Sequence, residues 1–164
     1  MTAFFRVIDR VLELLLFLAL ATMALVVFVN VVCRYWFDFS LSWGEEVALL
    51  MMVWLTYLGA AVATRDRAHF AFDYLVRNLP PGARHPVLIA GQVVFILTTL
   101  ALMYWGGKVT WELSELVTAA LEISQSWVYA ACPVGCFFML LYALRNLIHD
   151  LRHRAEPVVE RRAS

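Results

Sequence analysis

The sequence predicts an all-α integral membrane protein: four transmembrane helices, both the N- and C-termini cytoplasmic, and a cytoplasmic interfacial amphipathic helix between spans two and three. Three observations carry that prediction. Of 164 residues, 63% belong to the set AVILMFWYC and only 16% are charged, against roughly 25% charged in soluble domains; mean hydropathy is +0.75. Four stretches are long and apolar enough to cross a bilayer, which takes roughly 20 residues of helix. Basic residues, finally, concentrate in alternate loops. This composition excludes a disordered tail, a nucleic-acid-binding module and a soluble enzyme.

The first stretch, Val11–Val32, carries Glu13 near its start and Asn30 near its end. It exceeds the 7–15-residue apolar core of a signal peptide and leads into no soluble segment, so it reads as a retained span. Val47–Thr64, Val87–Trp105 and Trp127–Leu144 contain no charge. Pro133-Val134-Gly135 offers a kink near the outer end of the last span. Residues 1–150 thus read as one membrane domain, and 151–164 as a polar cytoplasmic tail.

Eleven of the thirteen Lys and Arg residues lie before span one, in the second loop, or after span four; only Arg34 and Lys108 lie in the first and third loops. The positive-inside rule then sets both termini in the cytoplasm. In the second loop, Ala68, Phe72, Leu75, Val76 and Leu79 share one helical face. A helix there lies in the interface with basic residues toward anionic lipid, a solvated connector being the competing reading. His69 is spaced to pair with Asp73, and contact with a partner subunit is the alternative. In the third loop Gly106-Gly107 interrupts the pattern, after which Trp111 to Glu122 is expected to continue as helix outside the membrane. Its acids Glu112, Glu115 and Glu122 would face water or another protein outside the membrane.

Chemistry-bearing residues are sparse. Cys33, Cys132 and Cys136 read as small buried hydrophobes, since a lone C-x3-C without histidine makes neither a zinc nor a disulfide-exchange site. His69, His85, His149 and His153 all fall outside the spans, which argues against membrane haem. Glu13 lies one turn from the cytoplasmic end, three residues beyond Arg10, and is expected to snorkel or pair with it. No catalytic, cofactor-binding or metal residue is assigned, and no cofactor is expected. Two alternatives remain: an autonomous small exporter using Glu13, and a membrane-anchor subunit of a redox complex.

Asn30 to His69 is the informative stretch. Asn30 and Arg34, four apart, share a helix face. Tyr35, Trp36, Phe37, Phe39 and Trp43 form an interfacial aromatic belt. Ser42-Trp43-Gly44-Glu45 has the spacing of a capping box. Glu46 or Glu45 is expected to pair with Arg34 and lock the hairpin of spans one and two. Small residues Gly59, Ala60, Ala61 and Ala63 on span two permit close helix approach.

Asn30-x-x-x-Arg34-Tyr35-x-Phe37, Trp43-x-Glu45-Glu46, Trp54, Gly59-Ala60, Arg65 and His69 resemble the small membrane (Q-type) subunit of tripartite ATP-independent periplasmic (TRAP) transporters. Ala119-Ala120-Leu121-Glu122-Ile123, Trp127, Tyr129 and Pro133-Val134-Gly135 extend the resemblance, which runs from about Arg6 to His149. One departure is Val47-Ala48-Leu49-Leu50, where the family often carries an arginine. The resemblance implies a scaffold in the bacterial inner membrane with no substrate site of its own. Its partners would be a large membrane subunit, a periplasmic substrate-binding protein and the phospholipid bilayer, with no nucleic acid. The large subunit would drive ion-coupled uptake, with sodium the expected ion, of an organic anion. Asn30, Arg34, Tyr35, Trp43, Glu45, Glu46, Trp54, Arg65 and His69 are then the expected structural or subunit-interface residues.

Overall fold

Uninterrupted apolar runs become helices in a bilayer because hydrocarbon offers backbone N–H and C=O groups no other partner. The computed structural model describes residues 3–66 and 81–152, with side chains over 6–66 and 86–148. It contains α1 (Ala3–Trp36), α2 (Ser42–Arg65), α3 (Pro81–Glu112), the short α4 (Ser126–Tyr129) and α5 (Ala131–Arg152). Four segments are long and apolar enough to cross a membrane: Arg6–Trp36, Ser42–Arg65, Pro86–Glu112 and Ser126–Ile148. Each encloses one predicted span. The expected interfacial helix, with His69, and the tail from 153 onward lie outside the described residues.

α4 and α5 make one span with a nick. Ala130 is helical and its N–H reaches the Ser126 carbonyl at 2.8 Å, while the Val134 N–H reaches Ala130 at 3.2 Å. Pro133 has no N–H to offer Tyr129, which is where the ladder breaks.

The helices stand in a row, α1–α2–α5–α3, and the backbones of α1 and α3 do not approach each other. The two ends of the row are distinct. One carries both described termini and is called the terminal end; the other carries the loop after α1 and the loop after α3, and is called the hairpin end. Burial follows this order. Between Leu12 and Val31 the shielded positions of α1 are Leu12, Leu16, Ala19, Met23, Val26 and Asn30, a repeat of four and three that faces one neighbour only. The rest of α1 is open, with Phe17, Leu25 and Phe28 each more than 60% exposed. The core sits on the inner pair. Leu12, Leu58 and Tyr142 join α1, α2 and α5, while Ala61, Cys136 and Met139 join α2, α5 and the Phe95–Met103 face of α3.

Two glycines set how closely these helices approach. A Cβ on Gly135 would lie 2.5 Å from the Tyr57 Cβ and 3.0 Å from its carbonyl carbon and oxygen. A Cβ on Gly106 would lie 2.5 Å from the Cys132 sulfur. Contrary to the expectation from sequence, Gly106-Gly107 does not interrupt α3; the helix runs through it, and the missing side chain of Gly106 allows the contact.

Two further expectations are corrected. The third loop is not helical: α3 stops at Glu112, and Val117 bridges Ser124 in a short antiparallel hairpin. Thr118 N–H reaches the Ile123 carbonyl at 2.8 Å, Gln125 N–H reaches Leu116 at 2.8 Å, and Glu122 adopts φ 53°. Serine hydroxyls compete with the helix here, Ser124 Oγ donating to the Ser114 carbonyl at 2.8 Å and Ser126 Oγ to Thr110 at 2.7 Å. The capping box of Ser42 and Glu45 is not formed either. The N-cap is Leu41, extended at ψ 92° with no side-chain cap bond. The Asn30 carboxamide holds it there, Oδ1 accepting from the Leu41 N–H at 3.1 Å, so the helix begins one residue earlier than the box requires.

Replacing Gly135 with alanine is expected to lower stability by about 1–3 kcal/mol, because the new methyl meets backbone rather than a movable side-chain tip. Gly107→Ala, where nothing lies within 4 Å, is expected to be neutral or to stabilise by up to about 1 kcal/mol through helix propensity. Thermal unfolding of both variants in detergent checks the contrast.

Candidate functional site

At the terminal end, Arg65 closes α2 and reaches across to α1. Its Nη1 lies 2.8 Å from Glu13 Oε1 and 3.7 Å from Asp9 Oδ1, and its Nε lies 2.8 Å from Asp66 Oδ1. Asp9 also accepts from the Tyr142 hydroxyl at 2.6 Å, which brings in α5. Beside it, Asn146 Nδ2 donates to the Thr64 carbonyl at 3.0 Å, satisfying one of the orphan carbonyls at the end of α2. Tyr142 is only 1% exposed, so its buried hydroxyl needs this partner. The Arg65 and Asp9 side chains are 17% and 23% exposed, against 56% for Glu13. The Asp9 link is the better shielded from solvent, and the Glu13 link is the more screened.

The hairpin end is fastened by neutral donors. Glu46 Oε1 accepts from the Ala120 N–H at 2.8 Å and Oε2 from the Leu121 N–H at 3.0 Å. Two successive amides ahead of the left-handed Glu122 form a small anion-binding nest. Trp54 Nε1 donates to the Trp127 carbonyl at 3.0 Å, tying α2 to the start of the last span. Gly44 is packed on Asn30 and Val26, where a Cβ would still have 3.5 Å.

The expected site residues therefore divide. Asn30, Glu46, Trp54 and Arg65 each fasten one helix or loop to another. Arg34, Tyr35, Trp43 and Glu45 are exposed, and His69 lies outside the described residues. The expected pairing of Arg34 with Glu46 or Glu45 is not formed: Glu46 is committed to the amides of the 118–123 turn. Glu13 likewise pairs with Arg65 and not with Arg10. Sequence reasoning missed Asp9, Tyr142 and Asn146. Asp9 and Glu13 stand four apart on one face, a like-charge pair that calls for a cation between them; that signal was available. Tyr142 carries none, because an apolar run gives no reason to single out one aromatic ring.

Between these ends the described spans hold little chemistry. Threonine hydroxyls bond back within their own helices, Thr56 to Met52, Thr98 to Val94 and Thr99 to Phe95, all at 2.8–2.9 Å. Among the described residues no group of three His, Cys, Asp or Glu is placed to hold a metal ion.

The family model of the DctQ component of tripartite ATP-independent periplasmic transporters matches residues 23–153. The chain belongs to this family. Over 151 residues, 92% of both chains, it is 26% identical to a Haemophilus influenzae protein provisionally named a TRAP transporter small permease. It is 22% identical to the sialic acid TRAP transporter small permease SiaQ of Vibrio cholerae, over 90% of this chain and 85% of that one. A 28% identical match to the sialic acid TRAP transporter permease SiaT of H. influenzae covers 68% of this chain and 18% of that longer protein. The clasps described above are thus the internal fastenings of a TRAP small permease subunit, a multi-pass membrane transport component.

Two predictions follow from them. Arg65→Gln in this small permease is expected to cost about 1–3 kcal/mol, since it strands the half-buried Asp9. Glu13→Gln is expected to cost less than about 1 kcal/mol, because that carboxylate is more than half exposed. Thermal unfolding of both variants, and of Arg65→Gln combined with Asp9→Asn, which should recover part of the loss, checks the ranking. At the other end, Glu46→Ala is expected to speed hydrogen exchange of the Ala120 and Leu121 amides about tenfold. Glu45→Ala should leave both unchanged, as mass-spectrometric exchange on the intact chain would read.

Proposed function

We propose that this small permease subunit is a scaffold that braces a large membrane subunit during ion-coupled uptake of an organic anion. The single observation behind this reading is the row. Helices with one shielded seam at each edge, fastened by polar clasps concentrated toward their ends, present broad apolar faces outward, as a bracing subunit needs. No transport path needs to run through such a layer, and the hydroxyls of Thr56, Thr98 and Thr99 are already used by their own helices. The placement of Glu13 supports the same reading over an autonomous exporter, because a carboxylate 56% exposed and 2.8 Å from an arginine is a poor intramembrane proton carrier.

The finer parts of the proposal rest on charge and kinship. The basic terminal end faces the cytoplasm and the hairpin end the periplasm, as the positive-inside bias favours, and the membrane is a bacterial inner membrane, in keeping with kinship to periplasmic transporters. The partners are a large membrane subunit and a periplasmic substrate-binding protein, and sodium is the coupling ion. The substrate is an organic anion, in keeping with the small permease relative named for sialic acid, which carries a carboxylate.

Reconstitution tests this directly. Proteoliposomes holding the large subunit, supplied with the periplasmic protein and a sodium gradient, should take up the organic anion only when this chain is present. This chain alone should be inert. Uptake by the chain alone, or full uptake without it, would overturn the scaffold reading.

A further inference from the structure

At the hairpin end, Arg34 is a cation that the clasps leave unused. Lys108, the other basic residue at the hairpin end, lies 3.7 Å from Glu112 and 5.5 Å from the centre of the Trp105 ring. Arg34 makes no ion pair among the described residues, although Asp38 follows four positions later. The chain path holds the two apart. α1 ends at Trp36, the Cys33 carbonyl accepts from Phe37 N–H at 3.0 Å and Phe39 N–H at 3.4 Å, and Asp38 turns the chain off the helix axis at φ 50°. The result is an open recess of about 460 Å³ lined by Arg34, Tyr35, Asp38 and Ser40. Its lining combines one cation, one anion and two hydroxyls. Tyr35, Trp36 and Phe37 are 84%, 80% and 74% exposed, which sets the recess in an aromatic belt at headgroup depth.

We propose that this recess binds the headgroup of a zwitterionic phospholipid, phosphoethanolamine, with the phosphate on Arg34 and the ammonium on Asp38. A guanidinium recognises phosphate through paired charge-assisted hydrogen bonds. The carboxylate decides between headgroups. Phosphatidylglycerol brings a phosphate without a cation and meets Asp38 as a like charge. Phosphatidylcholine brings a cation that has no N–H to donate. An acidic side chain of a partner subunit would use Arg34 and leave Asp38 opposing it. The proposal rests on the helices lying in a bilayer, and not on which substrate the transporter carries.

Native mass spectrometry of the purified full chain, with dioleoyl phosphatidylethanolamine, phosphatidylglycerol and phosphatidylcholine in competition, tests it. Phosphatidylethanolamine should bind in preference to the other two. Arg34→Gln should weaken that binding about tenfold, with Arg34→Lys intermediate. Asp38→Asn should abolish the preference over phosphatidylglycerol while lipid binding persists; asparagine tolerates the left-handed backbone as aspartate does. Thermal unfolding in lipid-free detergent establishes that each variant is folded. Equal binding of the three lipids, retention unmoved by Arg34→Gln, or an unchanged lipid ratio in Asp38→Asn would each overturn the assignment.

Discussion

Lipid tails are as apolar as leucine, so spans in a bilayer are not driven together by the hydrophobic effect that builds soluble cores. What holds them is close packing wherever backbones can approach, and polar bonds wherever a group would otherwise face hydrocarbon. This chain uses both in separate places. Packing is concentrated along the inner pair, where Gly135 lets α5 meet the backbone of Tyr57 and Gly106 lets α3 meet Cys132. Polar bonds are concentrated at the two ends of the row, where Arg65 and Glu46 act.

That division explains why the edges are unlike the middle. α1 shields one repeat of positions against α2 and leaves its other faces bare, whereas α5 buries Ala131, Gly135, Cys136, Met139, Tyr142 and Ala143 between two neighbours. An edge helix with one seam gains little from packing, and it is α1 that receives the polar fastenings at both ends: Asp9 and Glu13 to Arg65 at one, Asn30 to Leu41 at the other. A row fastened in this way keeps its own order while both outer faces stay free for lipid or for a larger subunit.

The spans were legible because composition and length alone decide what a bilayer will accept, and each apolar run lies inside an observed helix. Of the residues that carry the resemblance, Asn30, Glu46, Trp54 and Arg65 bond one element to another, while Arg34, Tyr35, Trp43 and Glu45 are exposed. The partners of those four were not legible. Trp54 and Glu46 bind backbone groups at Trp127, Ala120 and Leu121, and a backbone amide has no sequence signature. Tyr142 meets Asp9 across 133 positions, a separation that no local spacing rule spans. The third loop was misread because its mixture of apolar and acidic residues fits a helical face, while the serine bonds that close it as a hairpin depend on the end of α3 and the start of α4 standing together.

The misassigned partner of Glu46 is the most instructive of these, and magnitudes account for it. Opposite charges in one short hairpin suggest a pair, but an exposed arginine–carboxylate pair contributes only about 0–1 kcal/mol. Two adjacent amides each give the carboxylate a charge-assisted hydrogen bond, and neither requires a long side chain to be ordered. The Ala120 and Leu121 amides therefore outbid Arg34 for one carboxylate. Arg34 loses little by this, because its long stem carries the guanidinium to headgroups and water. The same ordering recurs at Asn30, whose carboxamide oxygen goes to the Leu41 amide and sets the start of α2. Near the membrane surface, then, the backbone's unmet hydrogen bonds claim the polar side chains first, and the charges left over are the ones free to meet the bilayer.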